Sequence, residues 1–196
     1  MNNQEQILRD LRRRIDRFID RTLRDVRVEL LDEFEKNFER EAFFNERWAR
    51  RKHHDDRSRG LLVRTGTLRR SLRAEVTDRR SVRFFTDVPY AAIHNEGGTI
   101  TVTRRMKGWF WIQYMTIVGS KDGTFAPQLQ RKKDGTPRNN KRNRELSDEA
   151  AFYKAMALKP VGSKIVIPRR QFIGRHAEVE RILKEIAENN MKQIFD

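Results

Sequence analysis

Along the first third of the chain, apolar residues recur at Leu8, Leu11, Ile15, Phe18, Leu23, Val26, Leu30, Phe34 and Phe38, mostly three or four positions apart. That spacing predicts one amphipathic helix with a charged opposite face. Neither proline nor glycine interrupts residues 1–59, and the pattern runs well past about 25 residues without internal caps. A stripe this long has two readings. It is an oligomerisation helix shared between copies, or an amphipathic helix packed on its own domain.

Beyond residue 60 the period changes. Leu61 to Val63 form a short apolar run, punctuated by Thr65 and Gly66. Residues 71–78 and 81–87 read as two strands with Asp78-Arg79-Arg80 as the turn, and Pro89, which has no ladder donor, ends the second. Tyr90 to Asn95 is expected as a turn or one helical coil stopped at Gly97-Gly98. Thr99 to Thr103 alternates, is β-branched and reads as a strand. Residues 106–118, MKGWFWIQYMTIV, are aromatic-rich and place Trp109 and Ile112 at helical spacing. Residues 121–146 then shift to Lys, Arg, Asn, Gly and Pro, with eight basic residues against three acidic, and are expected to form a mobile loop. Ser147, followed by Glu149 and Ala150, resembles an N-cap opening a helix through Leu158. Residues 163–167 read as a strand broken by Pro168, and 175–195 as a second amphipathic helix with Val179, Ile182, Leu183, Ile186 and Met191 on one face. The fold class expected is α+β: a long N-terminal helix, a small mainly antiparallel sheet and a C-terminal amphipathic helix. The chain reads as a single domain over 1–196. Within it, 1–46 is the long helix, 61–104 the sheet region, 105–160 an inserted aromatic and basic segment, and 161–196 the last strand and helix.

Composition sharpens this picture. Only 37% of the 196 residues are hydrophobic, 36% are charged, and the mean hydropathy is −0.86. A domain of this length buries roughly 70% of its unfolded surface, so such a chain carries long solvated elements or covers apolar surface in an oligomer. Lys and Arg total 43 against 28 Asp and Glu, a net charge of +15. That excess favours anionic partners without choosing among nucleic acid, acidic protein surfaces and anionic lipid. With no cysteine, disulfides, thiolate metal sites and a cysteine nucleophile are excluded. The opening MNNQEQILRD lacks the apolar core of a signal peptide. No run approaches the roughly 18 apolar residues of a membrane span. The chain is expected to be soluble, made and used in a cytoplasm, with no membrane partner.

Candidate chemistry is sparse. His53-His54-Asp55-Asp56 brings four metal-ligating residue types together, but contiguous ligands point in different directions and rarely converge on one ion; a solvated linker is expected. His94-Asn95-Glu96 is similar to a fragment of nuclease motifs, yet no acidic cluster supports it, so His94 is assigned packing or interface work. There is no phosphate-cradling glycine loop and no serine in a nucleophile elbow. No catalytic residue, cofactor or metal is expected. The basic stretches 47–59 and 121–146, with Trp109, Phe110, Trp111 and Tyr114 available to stack, leave nonspecific contact with DNA open.

Four stretches, in order, carry a resemblance: the long helix closing in Asn37-Phe38-Glu39 and followed by Trp48; LLVRTGTLRRSL at 61–72; VPYAAIHNEGG at 88–98; and IPRRQFIGRH at 167–176. Together they resemble the phage virion morphogenesis family, which includes tail completion proteins of Mu-like phages. The resemblance implies a structural α+β subunit acting in tail completion or head–tail joining. It also implies a ring homo-oligomer, a hexamer among the ring sizes it allows, docked to tail tube and head–tail connector proteins in the tail or neck of the virion. Contact residues expected on this reading are Leu11, Phe18, Phe34 and Phe38 of the helix stripe, Trp109 and Trp111 of the aromatic segment, and Arg170. The residues expected to build the scaffold are Thr65, Gly66, Leu68, Tyr90, His94, Gly97, Gly98, Pro168 and Phe172. In particular, Tyr90 belongs to a buried-looking aromatic corner, and Phe172 anchors the last helix to the sheet. The rival reading is a nonspecific DNA-binding accessory protein of phage assembly.

Overall fold

A computed structural model describes residues 3–50, 60–63, 65–78 and 80–195. The described residues pack as two compact units, one within residues 3–48, 60–96 and 169–195, the other comprising residues 97–168 with 49 and 50. The second of these units is wider than the inserted segment expected at 105–160. The buried apolar residues form two clusters with no member in common.

In the first unit, helix α1 (Asn3–Arg40) supplies Val26, Leu30, Phe34 and Phe38 to the core. It stops at residue 40, short of the expected bound at 46, where Glu41 adopts φ 51°. A left-handed residue bearing a side chain costs about 1–2 kcal/mol. Its own groups offset this: the Glu41 carbonyl accepts from Trp48 N at 2.9 Å and its carboxylate from Leu61 N at 2.6 Å. A minimal hairpin follows, β1 (Ala42–Phe43) with β2 (Glu46–Arg47). The short helix α2 (Thr67–Arg70) starts at Gly66, whose φ of 68° suits glycine, and buries Leu68. Thr65 Oγ1 lies 2.8 Å from Thr67 Oγ1 and supports that turn.

Strands β3 (Arg73–Asp78) and β4 (Ser81–Phe85) pair antiparallel, with Val76 opposite Val82 and an irregularity between Val76 and Asp78. Asp78 sets the turn by accepting from Arg80 N at 2.6 Å. Phe84 of this hairpin meets Phe34 edge-on at 5.2 Å. Helix α3 (Ala91–Glu96) follows. The last helix, α6 (Ala177–Phe195), lies antiparallel on α1: Asn190 donates to Asp25 Oδ2 at 2.8 Å, and Phe195 meets Phe18 at 6.3 Å. Helix α6 therefore ends level with Phe18, and the first four turns of α1 extend past it.

In the second unit, β5 (Gly98–Thr101) pairs antiparallel with β6 (Lys164–Ile167), and Pro168 closes β6 by having no donor to continue it. Helix α4 (Arg104–Val118) opens on Thr103, whose Oγ1 accepts from Met106 N at 3.2 Å. Helix α5 (Lys141–Leu158) opens on Asn140, whose Oδ1 accepts from Asn143 N at 2.8 Å, well before the expected cap at Ser147. The two helices run antiparallel, with Phe110 against Phe152 and Tyr153 and Ile117, Ala150 and Tyr153 buried. The sheet expected as one small unit is three two-stranded ones. Its strands divide because β5 finds its partner more than 60 residues on, inside the second unit, while β3 and β4 close on each other.

The stretch expected as a mobile loop is a hydrogen-bonded hairpin. Arg131 and Pro137 form a bridge, and Lys132 N donates to Thr136 O and Arg138 N to Gln130 O, each at 2.8 Å. Buried Asn143 ties it to α5: its Oδ1 accepts from Gln130 N at 3.0 Å, and its Nδ2 donates to Gln130 O at 2.7 Å and Arg138 O at 2.8 Å. Among the described residues, no helix is long and apolar enough to cross a membrane.

Candidate functional site

Residues of the Asn37–Trp48 and 88–98 blocks meet at the main chain of residues 170–173. Arg170 N donates to the His94 carbonyl at 2.8 Å, and Trp48 Nε1 donates to the Gln171 carbonyl at 2.7 Å. Asn95 Oδ1 accepts from Phe172 N at 2.9 Å and Ile173 N at 3.1 Å. Asn37, fully buried on α1, donates to the Phe172 carbonyl at 3.3 Å and accepts from Phe44 N at 2.9 Å. Five polar backbone groups of a partly buried segment without regular structure are thereby satisfied. Phe172 packs on Phe38 of α1 at 5.2 Å, so it anchors the segment to the long helix. In the sequence, Asn37 and Asn95 stand out only as members of larger blocks; the signal available was an asparagine standing within an apolar stripe.

The expected contact residues divide. Phe34 and Phe38 belong to the subunit's own core, Phe38 with 1% of its surface exposed. Their place as intersubunit contacts is corrected, because Phe43, Phe84, Trp48 and Phe172 already surround them. Arg170 is also buried within the subunit. Leu11 is 45% exposed and Leu8 65%, while Phe18 is half-buried under Phe195. On α4, Trp109 and Trp111 are 49% and 45% exposed. Tyr90, expected in a buried corner, is exposed and meets His94 edge-on at 5.9 Å. In the second unit Gly97 adopts φ 75°, as a reversal requires, and Gly98 opens β5.

His94 has a buried Nδ1 with no hydrogen-bond partner among the described residues. Burial, aided by the nearby Arg170 guanidinium, holds its pKa below the usual histidine value. The unfolded chain therefore takes up a proton more readily than the folded one, and stability present above about pH 6.5 is lost as pH falls below it. The melting temperature should decline between about pH 7 and pH 5, and His94→Gln should flatten that decline. An unchanged pH slope in the variant would show that other groups cause it.

A groove of about 610 Å³ between α1 and α6 is lined by Glu29, Asp32, Glu33, Lys36, Arg40 and Arg181, among others. Asp32 and Glu33 are already paired: Lys36 Nζ lies 2.6 Å from Asp32 and 2.9 Å from Glu33, and Arg40 lies 2.9 Å from Glu33. Partial burial alone would raise the Glu33 pKa, but the hydrogen bonds from Lys36 and Arg40 outweigh it and hold the pKa below its usual value. A carboxylate held ionised in this way is poorly suited to act as a general acid. No group of three or more metal-ligating residues converges among the described residues; His53-His54-Asp55-Asp56 lies outside them.

The sequence model of the phage virion morphogenesis family matches residues 1–116. That span takes in α1, the 61–72 and 88–98 blocks and most of α4, while the 167–176 block lies beyond it. No curated protein and no solved structure matches the chain.

Proposed function

The chain belongs to the phage virion morphogenesis family, and from that premise we propose that it is a non-enzymatic subunit which completes the tail or joins it to the head by assembling into a ring. A structural role in building the virion, in association with other virion proteins, follows from the family itself. The ring, the tail or neck position and the docking partners are our reading.

One observation carries that reading. Helix α1 uses its apolar stripe from Val26 onward for the subunit's own core, while Ile7, Leu8, Leu11 and Ile15 continue the same stripe exposed. Apolar helix surface of this kind is stabilised when a second protein surface removes it from water, at roughly 25 cal/mol per Å² buried. A neighbouring copy is the partner always at hand during assembly, and a contact between unlike surfaces repeats around a closed ring. The exposed Trp109, Trp111 and Ile112 on α4 are the second adhesive face, suited by their aromatic content to tail tube or connector proteins.

The test is the mass in solution. Light scattering should give a multiple of the 23.5 kDa subunit. Leu8→Gln, Leu11→Gln and Ile15→Gln combined should reduce it to a single subunit without altering the thermal melt. A wild-type protein that stays at one subunit even when concentrated would rule the ring out. Particles assembled without the chain should have filled heads and lack joined tails.

A further inference from the structure

The two units handle their charges differently. In the first, cations are interleaved with carboxylates: Arg9 with Glu5, Arg13 with Asp10, Arg69 with Glu39, and Arg181 with Glu178 and Glu185. In the second, residues 97–168 carry 14 Lys or Arg against five Asp or Glu. Half of those cations fall within residues 131–144, beside a single acid, Asp134. Asp134 is itself turned inward to the hairpin, accepting from Thr136 N at 2.9 Å. Lys141 has a partner, Glu145 at 3.8 Å. Among the described residues, Lys132, Lys133, Arg138, Arg142 and Arg144 have no carboxylate partner, and all five are exposed.

This arrangement costs stability. Unpaired like charges repel one another, and the first turn of α5 bears Lys141, Arg142 and Arg144 with no acid, the reverse of what the helix dipole favours. Yet the hairpin that presents them is fixed, through Asn143, and not loose. We propose that the hairpin of residues 131–138 and the opening turns of α5 form a sequence-independent binding surface for the phosphate backbone of double-stranded DNA.

Two features favour that ligand over other anions. No large apolar side chain between residues 113 and 157 is exposed, so the face lacks the apolar anchors on which protein interfaces rely. Residues 131–144 also contain no aromatic side chain, so there is nothing for the bases of a single strand to stack upon. What the face offers is positive charge on a fixed frame, which suits phosphates and carries no base readout. Because it lies apart from the α1 stripe in sequence and in chemistry, this surface stands whether or not the ring reading does.

The experiment uses the full chain and a fluorescent duplex of arbitrary sequence, titrated between about 50 and about 200 mM salt. Wild type should bind with steep salt dependence. Lys132→Gln, Lys133→Gln, Arg138→Gln and Arg142→Gln combined should weaken binding at low salt at least about tenfold. They should also lower the log–log salt slope by about 3–4, near 0.9 for each phosphate no longer neutralised. A control with the same charge loss in the first unit, Arg27→Gln, Arg47→Gln, Arg175→Gln and Lys192→Gln, should leave the slope nearly unchanged. Arg138→Lys with Arg142→Lys should retain binding. Equal losses in both glutamine sets would mean attraction to net charge alone, and overturn the site. Absence of duplex binding at low salt would also overturn it. So would labelled polyglutamate that binds as tightly as the duplex and weakens equally in the first glutamine set, because an acidic protein surface would then be the partner. Light scattering on the same variants should show the wild-type mass, which separates this result from any failure of ring assembly.

Discussion

Replacing Phe38 with alanine is expected to cost the first unit about 3–5 kcal/mol, the range for removing a buried aromatic ring and leaving a cavity. Phe38 is 1% exposed and touches Trp48 edge-on at 5.6 Å and Phe172 at 5.2 Å. The substitution therefore empties the junction where α1, the β1–β2 hairpin's exit and the 170–173 segment meet. Against a typical total stability of about 5–15 kcal/mol, this is a large fraction. With a urea dependence of about 1–3 kcal/mol per M, the unfolding midpoint should drop by roughly 2 M. Amide exchange in α1 beyond Val26 should accelerate in step. Leu11→Ala is the comparison. Leu11 lies on the same stripe but is exposed, so its removal should change subunit stability by no more than about 0.5 kcal/mol. If Phe38→Ala left the midpoint in place and changed only the mass in solution, the residue would belong to an intersubunit contact after all.

That contrast marks where sequence pattern ran out. The stripe from Leu8 to Phe38 is continuous, and periodicity gives the face of a helix without saying what covers it. The division at about Phe18 is set by where α6 ends, and that depends on tertiary pairing between residues far apart in the chain, as in Phe18 with Phe195. The β3–β4 hairpin, the β5 strand and the α6 helix were legible because each carries a local signature: alternation, β-branching or a 3.6-residue stripe. The pairing of β5 with β6 was not, since such short strands hold too few positions to specify a partner. The cap expected at Ser147 falls inside α5 because the actual cap, Asn140, is followed by Lys and Arg where the usual signal is an acid. In the candidate site, the blocks around Thr65-Gly66, His94 and Phe172 are visible, but the work of Asn37 and Asn95 in holding the Phe172 segment is not. Their role depends on reaching the backbone of a distant segment, which no local rule encodes.

Asn143 shows the same logic in the second unit, and its removal should have the second-largest effect. Asn143→Ala deletes three side-chain hydrogen bonds to the hairpin, two of them donated to carbonyls of Gln130 and Arg138. At about 1 kcal/mol for each, and more where a buried carbonyl loses its donor, roughly 3 kcal/mol of local stability is lost. The amides of Lys132 and Arg138, which close the hairpin by donating to Thr136 and Gln130, should then exchange roughly a hundredfold faster. Amides of α1 should not change. Asn143→Asp should fare no better although it keeps the shape, because a carboxylate cannot donate and would face two carbonyl oxygens. If the basic face binds duplex DNA as a fixed frame, Asn143→Ala should also weaken that binding while leaving every charge in place, since the ordering of the hairpin must then be supplied on binding. Unchanged exchange at Lys132 and Arg138 in Asn143→Ala would mean that the hairpin is held by its own backbone, and the frame would need another explanation.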